Sequence, residues 1–369
     1  MDNKQLISKK HPDNCQLSTV NCQLSEFISD WKSASPYLEV QTSGSTGTPK
    51  RIMVRKEQMV NSARLTCDYL GLRQGDKALL CMPLRYIAGK MMVVRSLVAG
   101  LDLVIREPSG HPMADIDMPL RFAAMIQVYN TLQVPEERER LCQIDILIIG
   151  GGSIDRELET RIQELPICVY STYGMTETLS HIALRRLNGP DASPYYTPFP
   201  SVKLSLSTDD TLIIDAPLVT DETLVTNDVA ELLPDGRFRI LGRKDNIINS
   251  GGIKIQTEIV EETLRPIIPT NFAITSVPDP KFGEAMILLI TTGNDRFPSK
   301  KTASSLIGEQ SLSLPENNLF SELEEMIFGI LPKYQRPKHI LRIESIPLTG
   351  SGKIDRAACR KLAMERYTG

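Results

Sequence analysis

Two short lysine-bearing stretches carry residues suited to chemistry: Thr42-Ser43-Gly44-Ser45-Thr46-Gly47-Thr48-Pro49-Lys50 near the start and Ser351-Gly352-Lys353-Ile354-Asp355-Arg356 near the end. In the first, small, hydroxyl-bearing and glycine residues let backbone N–H and side-chain OH groups close around phosphate oxygens with no Cβ in the way. Lys50 adds a positive charge. In the second, a lone lysine follows a flexible Ser-Gly pair, so it can be carried into a site made by another part of the chain. Together the two suit ATP chemistry on a carboxylate. The first is not the commoner phosphate loop G-x-x-x-x-G-K-[ST]: its glycine spacing differs and Lys50 follows Pro49, which disfavours a Walker-type NTPase. Taken alone, such a loop is as readily a plain surface loop.

The elements that must position these residues alternate between apolar strand-like runs and amphipathic segments, the pattern of an α/β protein. Val40 to Thr42 leads into the glycine loop, and Ala78 to Met82 and Leu101 to Ile105 read as buried strands. Ile144 to Ile149 runs into Gly150-Gly151-Gly152-Ser153 and then a polar helical stretch from Asp155 to Glu164, a strand-turn-helix unit. Ligands favour the carboxyl ends of such strands. Beyond about residue 200 the strand signals shorten: Val202 to Leu206, Thr211 to Ile214, Leu224 to Thr226, and Arg237 to Leu241 after a Pro234-Asp235-Gly236 turn. A strand-like Asn246 to Asn249, a Ser250-Gly251-Gly252 turn and a helix from Thr257 to Leu264 follow, and Gly293 to Asn318 reads as a long loop or disordered insertion.

The chain has 369 residues, 41% hydrophobic and 24% charged, more than one core usually holds, so two domains are expected. A formal net charge of -3 provides no basic field for nucleic acid, while small anionic ligands need only a local patch. Seven scattered cysteines without a C-x-x-C pair point to a reducing cytoplasm rather than a disulfide framework. Neither an apolar signal segment at the N-terminus nor a membrane-length apolar run is present, which predicts a soluble protein.

Three further segments stand in order between the two lysine stretches: Tyr170-Ser171-Thr172-Tyr173-Gly174-Met175-Thr176-Glu177-Thr178, Thr226-Asn227-Asp228, and Gly242-Arg243-Lys244-Asp245 with Ser250-Gly251-Gly252. Each alone occurs by chance. All five in this order resemble the adenylate-forming superfamily of acyl-CoA synthetases, peptide-synthetase adenylation domains and luciferases. The resemblance implies a large N-terminal domain of mixed sheets and helices with a small β region, residues 1–241; a hinge at 242–246, centred on Asp245; and a small mobile α+β C-terminal domain, 247–369. It also implies an AMP-forming ligase in which a carboxylate attacks the α-phosphorus of ATP, pyrophosphate leaves, and a thiol takes the acyl group.

Under that resemblance Thr42, Ser43, Gly44, Ser45, Thr46, Gly47 and Lys50 hold the β- and γ-phosphates. Thr172, Tyr173, Gly174 and Met175 line the nucleotide, with Tyr173 against adenine. Thr176 contacts the α-phosphate, Glu177 holds Mg²⁺, and Asp228 accepts from the ribose hydroxyls. Arg243 meets ribose or phosphate oxygens, and Lys353 bridges the attacking carboxylate and the α-phosphate. Rotation about Asp245 then exchanges Lys353 for the face carrying Ser250, Gly251, Gly252 and Lys254, which would receive CoA.

The front of the chain is short for the superfamily, which suggests a reduced N-terminal subdomain or a missing portion supplied by a partner. Thr226-Asn227-Asp228 replaces the usual Thr-Gly-Asp, with a changed turn expected where Asn takes the place of Gly. The short front and Asn249-Ser250-Gly251-Gly252 with Ile255 to Glu261 look most like the o-succinylbenzoate-CoA ligases of menaquinone synthesis. That acid has a second carboxylate needing cationic or N–H and OH partners. Arg85, Tyr86, Lys90, Ser180 and His181 are the candidates, with Gly150, Gly151, Gly152 and Ser153 as a wall for a flat ring. The plain alternatives are a surface salt bridge for Arg243, a structural histidine at 181, and solvated side chains at 85, 90 and 254. Another aryl- or acyl-CoA ligase, a carrier-protein-loading adenylation enzyme and a non-catalytic adenylate-binding protein are the competing readings. A homodimer is left open.

Overall fold

The computed structural model describes residues 19–41, 51–126, 128–152, 154, 156–268, 270–291, 316–349 and 354–367. In chain order the first part comprises α1 (Thr19–Lys32), β1 (Tyr37–Gln41), β2 (Arg51–Arg55), α2 (Lys56–Leu70), β3 (Lys77–Leu80), α3 (Ile87–Ala99), β4 (Asp102–Ile105) and β5 (Leu120–Met125). There follow α4 (Val128–Gln133), α5 (Pro135–Leu141), β6 (Ile144–Ile149), α6 (Arg156–Gln163), β7 (Cys168–Gly174), β8 (His181–Arg186) and β9 (Thr197–Pro198). Next come β10 (Lys203–Leu206), β11 (Thr211–Asp215), β12 (Leu224–Leu232), β13 (Phe238–Arg243), β14 (Ile247–Ser250) and β15 (Ile253–Gln256). The chain closes with α7 (Thr257–Leu264), β16 (Phe272–Asp279), β17 (Gly283–Thr291), α8 (Glu316–Ile330), β18 (His339–Ile343) and α9 (Arg356–Tyr367).

The residues fall into two compact units: 1–205 with 213–225 and 232–239, and 206–212 with 226–231 and 240–369. The first unit is organised by a seven-stranded sheet in the order β4-β3-β5-β6-β7-β8-β9, parallel from β4 to β7 and antiparallel beyond. Parallel strands covered on both faces need continuous apolar runs. Ile144-Asp145-Ile146-Leu147-Ile148-Ile149 is such a run, buried at every position but Asp145. Ile144, Leu147 and Ile149 join Leu79, Ala123, Met125, Leu141, Ile162 and Val169 in one core. The parallel order puts the carboxyl ends of β5, β6 and β7 side by side, with Met125, Ile149 and Ser171 in register.

The four-stranded sheet β10-β11-β12-β13 contributes residues to both units. Here the structure corrects an expectation: Thr226-Asn227-Asp228 lies inside β12 and not at a turn, so extended backbone accommodates Asn where glycine is usual.

The second unit is built on a sheet ordered β15-β14-β17-β16, with β18 also on β17. Because successive strand residues face opposite ways, β17 sends Met286, Leu288 and Ile290 to a core with Val260 and Leu264 of α7 and Ile327 of α8. It sends Ala285, Ile287 and Leu289 to another with Cys359 and Ala363 of α9. Helices therefore cover both faces. Of the polar stretch Gly293 to Asn318, residues 316–318 form the first turn of α8 and the rest lies outside the described residues. The expected α/β architecture of mixed sheets and helices with an α+β C-terminal part is borne out.

Candidate active site

The glycine loop, Thr42 to Lys50, lies outside the described residues, as do Ser153 and Lys353. The strands flanking the loop are described: β1 and β2 pair antiparallel, with Gln41 opposite Arg51. Gln41 also bridges Tyr86, and the Lys90 ammonium donates to the Glu39 carbonyl at 2.9 Å. The segment from Arg85 to Lys90 is thus laid along β1, with the Arg85 guanidinium stacked 4.7 Å over the Tyr86 ring.

The motif from Thr172 to Thr178 occupies the carboxyl end of β7 and the turn into β8. Gly174 pairs with His181, and a Cβ at 174 would lie 2.2 Å from the Ser180 carbonyl oxygen, so only glycine permits this approach. Within the turn, the Thr178 hydroxyl accepts the Met175 N–H at 3.0 Å and sits 2.7 Å from the Ser180 carbonyl. Leu179 is held at φ 65°, with its side chain buried. Such a conformation costs a non-glycine residue on the order of 1–3 kcal/mol and persists where its surroundings over-determine it. The result is a stapled turn that leaves Glu177 exposed and Thr176 half-buried. Tyr173 is half-buried, its ring 5.1 Å from Phe238 and 5.9 Å from Tyr196. Gly150, just beyond β6, approaches Thr172 so closely that a Cβ there would stand 2.9 Å from the Thr172 hydroxyl. The glycine wall and the tyrosine motif are therefore neighbours.

Ser180 and His181 lead inward to a residue that the motifs did not flag. Arg95, on α3, is 2% exposed. One of its terminal nitrogens donates to the Ser180 hydroxyl at 2.6 Å, another meets the Met92 sulfur at 3.6 Å, and its Nε has no partner among the described residues. No described carboxylate pairs with it. Burial pulls the guanidinium down from its ordinary value to about 10. The Ser180 hydroxyl, accepting from Arg95, can donate to His181 Nδ1 at 3.3 Å. His181 Nε2 lies 3.0 Å from the Thr66 hydroxyl, which gives its own proton to the Ser62 carbonyl and so accepts from the ring. Burial first, and the Arg95 charge second, hold the imidazole well below its usual 6.5. It is neutral at pH 7. The cluster is a single buried cation braced through Ser180 by an uncharged histidine. Lys90 does not share its helix face: five residues at about 100° each separate the two side chains by about 140°.

In the second unit, Asp228 of β12 and Arg243 of β13 pair at 3.2 Å, and Arg243 reaches Asp245 with its other terminal nitrogen at 3.0 Å. Asn227 adds an amide donor to Asp245 at 3.2 Å. The Asp228 N–H is held by the Thr226 hydroxyl at 3.1 Å, which donates to the Leu212 carbonyl at 2.8 Å. Ser250 and Ile253 close the β14-β15 hairpin over Gly251 and Gly252, whose φ of 61° and 82° suit a two-glycine turn. Lys254 is exposed, 3.7 Å from Asp209. Lys353 is followed directly by Ile354, which bridges Leu348. Among the described residues no group of three or more His, Cys, Asp and Glu side chains could hold a metal, and no helix is long and apolar enough to cross a membrane.

Comparison with known proteins gives these arrangements a lineage. The AMP-binding enzyme family matches residues 7–222. The 2-succinylbenzoate–CoA ligases of Lactococcus lactis and Enterococcus faecalis are each 24% identical, covering 95% and 96% of this chain and 77% and 73% of their own. Among solved structures, an acyl-CoA synthetase (AMP-forming)/AMP-acid ligase II-like protein from Dyadobacter fermentans is 31% identical. It aligns with a TM-score of 0.61 over 94% of this chain and 95% of its own. The o-succinylbenzoate coenzyme A synthetase of Bacillus subtilis in complex with ATP and magnesium shares the fold at 20% identity and a TM-score of 0.64, over 86% of this chain and 68% of its own. The resemblance drawn from the five motifs is borne out, and the chain belongs to the AMP-binding enzyme family.

Proposed function

We propose that this enzyme activates o-succinylbenzoate with ATP and passes the acyl group to coenzyme A, giving o-succinylbenzoyl-CoA, AMP and pyrophosphate. The observation that carries the reading is Arg95: a buried guanidinium with no carboxylate partner among the described residues, bonded to Ser180, only seven residues after Tyr173 in the half-buried Thr172-Tyr173 end of β7 expected to face the nucleotide. An uncompensated buried charge costs several kcal/mol unless an anion completes it. An acid with one carboxylate to activate and another to be held supplies that anion. The relatives named as ligases of this acid point the same way.

In the first half-reaction a substrate carboxylate oxygen attacks the α-phosphorus, the bond to the pyrophosphate oxygen breaks, and pyrophosphate carries away the electron pair. The glycine loop with Lys50 would hold the departing phosphates and Thr176 the α-phosphate. Tyr173 would offer adenine an aromatic face, while Asp228, steadied by Arg243, would accept from the ribose. Lys353 would neutralise charge growing between the carboxylate and the phosphorus; donors aimed at developing charge are worth ~10²–10³ in rate. Glu177, exposed on a rigid turn, suits a hard cation held otherwise by phosphate oxygens, and Mg²⁺ there would offset the charge of the leaving pyrophosphate. In the second half-reaction the thiol sulfur attacks the acyl carbon, loses its proton, and expels AMP. A body of residues 1–241 and a C-terminal part of 247–369 would turn about Asp245 between the two, bringing Ser250 to Lys254 toward CoA. The free cysteines among the described residues fit a cytoplasmic enzyme.

The test is acid-dependent exchange of pyrophosphate into ATP across a panel of aromatic and aliphatic acids. Exchange should be fastest with o-succinylbenzoate, and an analogue lacking the second carboxylate should bind far less well. A clear preference for a monocarboxylic acid, or exchange with no acid, would overturn the assignment.

A further inference from the structure

Three aromatic rings of the first unit stand together beside the tyrosine motif. Tyr196, just before β9, is locked to Phe238 of β13 by two backbone bonds: its N–H donates to the Phe238 carbonyl at 2.7 Å, and the return bond is 3.1 Å. Residues directly opposed on an antiparallel bridge share one face, and their chain neighbours share the other. Tyr195 accordingly carries the Arg239 guanidinium 5.7 Å over its ring, while the Tyr196 ring stacks on Phe238 at 5.5 Å with 25° between the planes. The Tyr196 hydroxyl meets the buried Ser171 hydroxyl of β7 at 2.8 Å. The Arg185 guanidinium, held by Glu159 of α6 at 2.9 Å, lies 5.7 Å over the Tyr196 ring. Backbone, ring face and hydroxyl are thus all anchored. Tyr173, two residues along β7 from Ser171, projects to the same side of the sheet. Ser171 stands opposite Arg185 and Tyr173 opposite Ala183, whose single methyl leaves room for the rings above it. The Tyr173 ring meets Phe238 edge-on at 5.1 Å and Tyr196 at 5.9 Å, tilted by 58°. It is half-buried, so part of its surface is left for a ligand, and which part depends on the rings behind it.

We propose that Tyr196 is a positioning residue for the adenine-binding ring: braced by Phe238 and Ser171, it fixes the tilt of Tyr173 and so sets the affinity for ATP. The inference rests on the ligase reading above, in which Tyr173 offers adenine its aromatic face. Tyr196 touches no substrate; it acts through Tyr173. The base takes no part in bond making, so it is held equally in the ground state and the transition state. Loss of Tyr196 therefore weakens ATP binding and leaves kcat in place.

Full-length Tyr196→Leu, Tyr196→Phe, Tyr173→Ala and the double variant Tyr196→Leu with Tyr173→Ala test this through two readouts. One is the dissociation constant of ATP with Mg²⁺ by calorimetry, and the other is kcat of pyrophosphate exchange with o-succinylbenzoate at saturating ATP. Base–aromatic stacking sets the loss of ATP affinity in Tyr173→Ala at about 10-fold or more. Tyr196→Leu should weaken ATP by about 3–10-fold, the worth of an aromatic pair, with kcat little changed. Tyr196→Phe, which keeps the stack on Phe238, should recover most of that loss. In the double variant affinity should fall no further than in Tyr173→Ala, because Tyr196 has no route to the base except through that ring. Undiminished ATP affinity in Tyr196→Leu, a matching loss in kcat, or additive loss in the double variant would each overturn the inference. If Tyr196→Leu does not fold, Tyr196→Met, which fills the space without a ring, decides. Unchanged affinity in Tyr173→Ala would bring down the adenine role of that ring and the inference with it. Exchange with a different acid would instead overturn only the substrate assignment, because the ATP measurements need no acid.

Discussion

Arg95 and Arg356 are the same residue in opposite circumstances. Arg95 is almost wholly buried in the first unit, with a serine and a thioether for company and an orphaned Nε. Arg356, in the second unit, keeps about a quarter of its side chain exposed and is fully matched by Glu261. A guanidinium cannot shed its proton at physiological pH, so a protein that buries one must provide an anion or leave a place for one. The second unit provides it from its own chain. Among the described residues the first does not, and that asymmetry separates a cation paired within its own unit from one with no described counter-ion.

The comparison breaks most visibly under matched substitutions to methionine. Arg356→Met strands the Glu261 carboxylate, whose exposure is only 6%, and removing one partner of a buried pair costs about 3–5 kcal/mol. Chemical denaturation should show that loss. Arg95→Met removes a buried charge that has no counter-ion among the described residues, so its stability in the ligand-free state should be unchanged or higher. Its loss appears instead in kcat/KM for o-succinylbenzoate, expected to fall by about 10²-fold or more, since truncating one member of a buried charge pair costs about 2–5 kcal/mol. Were Arg95→Met strongly destabilised with full activity toward the acid, the two arginines would be the same kind of residue after all.

How much of this contrast could be read from residues alone differs between the two sites. Asp228, Arg243, Tyr173 and the glycine wall sit in short segments whose composition announces them, and the structure places Gly150 against Thr172 and Arg243 against Asp228. Arg95 lies outside every motif, and the candidates that this part of the chain offers by residue type are Arg85, Tyr86 and Lys90. The signal was present: Arg95 follows Met91-Met92-Val93-Val94, a charge set within four fully buried apolar residues. A strongly apolar helix interrupted by one arginine implies a buried cation. What sequence withholds is whether an anion comes to meet it, since that depends on side chains distant in the chain, Ser180 here and Glu261 in the other unit. β12 shows the same limit. Asn227 and Asp228 have low strand propensity, and the strand was expected to stop at Thr226, yet pairing on both sides carries it through to Leu232.

The smallest effect expected reads the Arg95 charge through its neighbour His181, without any substrate. His181 is buried and held well below 6.5, first by desolvation and then by the Arg95 charge, so between that value and its depressed folded value the unfolded chain binds a proton that the native protein does not. The stability it contributes is complete above pH 6.5 and is lost as pH falls toward the folded value, with a slope of at most about 1.4 kcal/mol per pH unit. Denaturation of the wild type at pH 7.5, 6.0 and 5.0 should therefore show a steeper decline than His181→Gln, which has no titrating ring. In Arg95→Met the decline should shorten without vanishing, because the charge is the lesser of the two causes and burial remains. If the pH dependence is identical with and without Arg95, the guanidinium does not act on the imidazole, and the chain from Arg95 through Ser180 to His181 is packing rather than a charged site held ready.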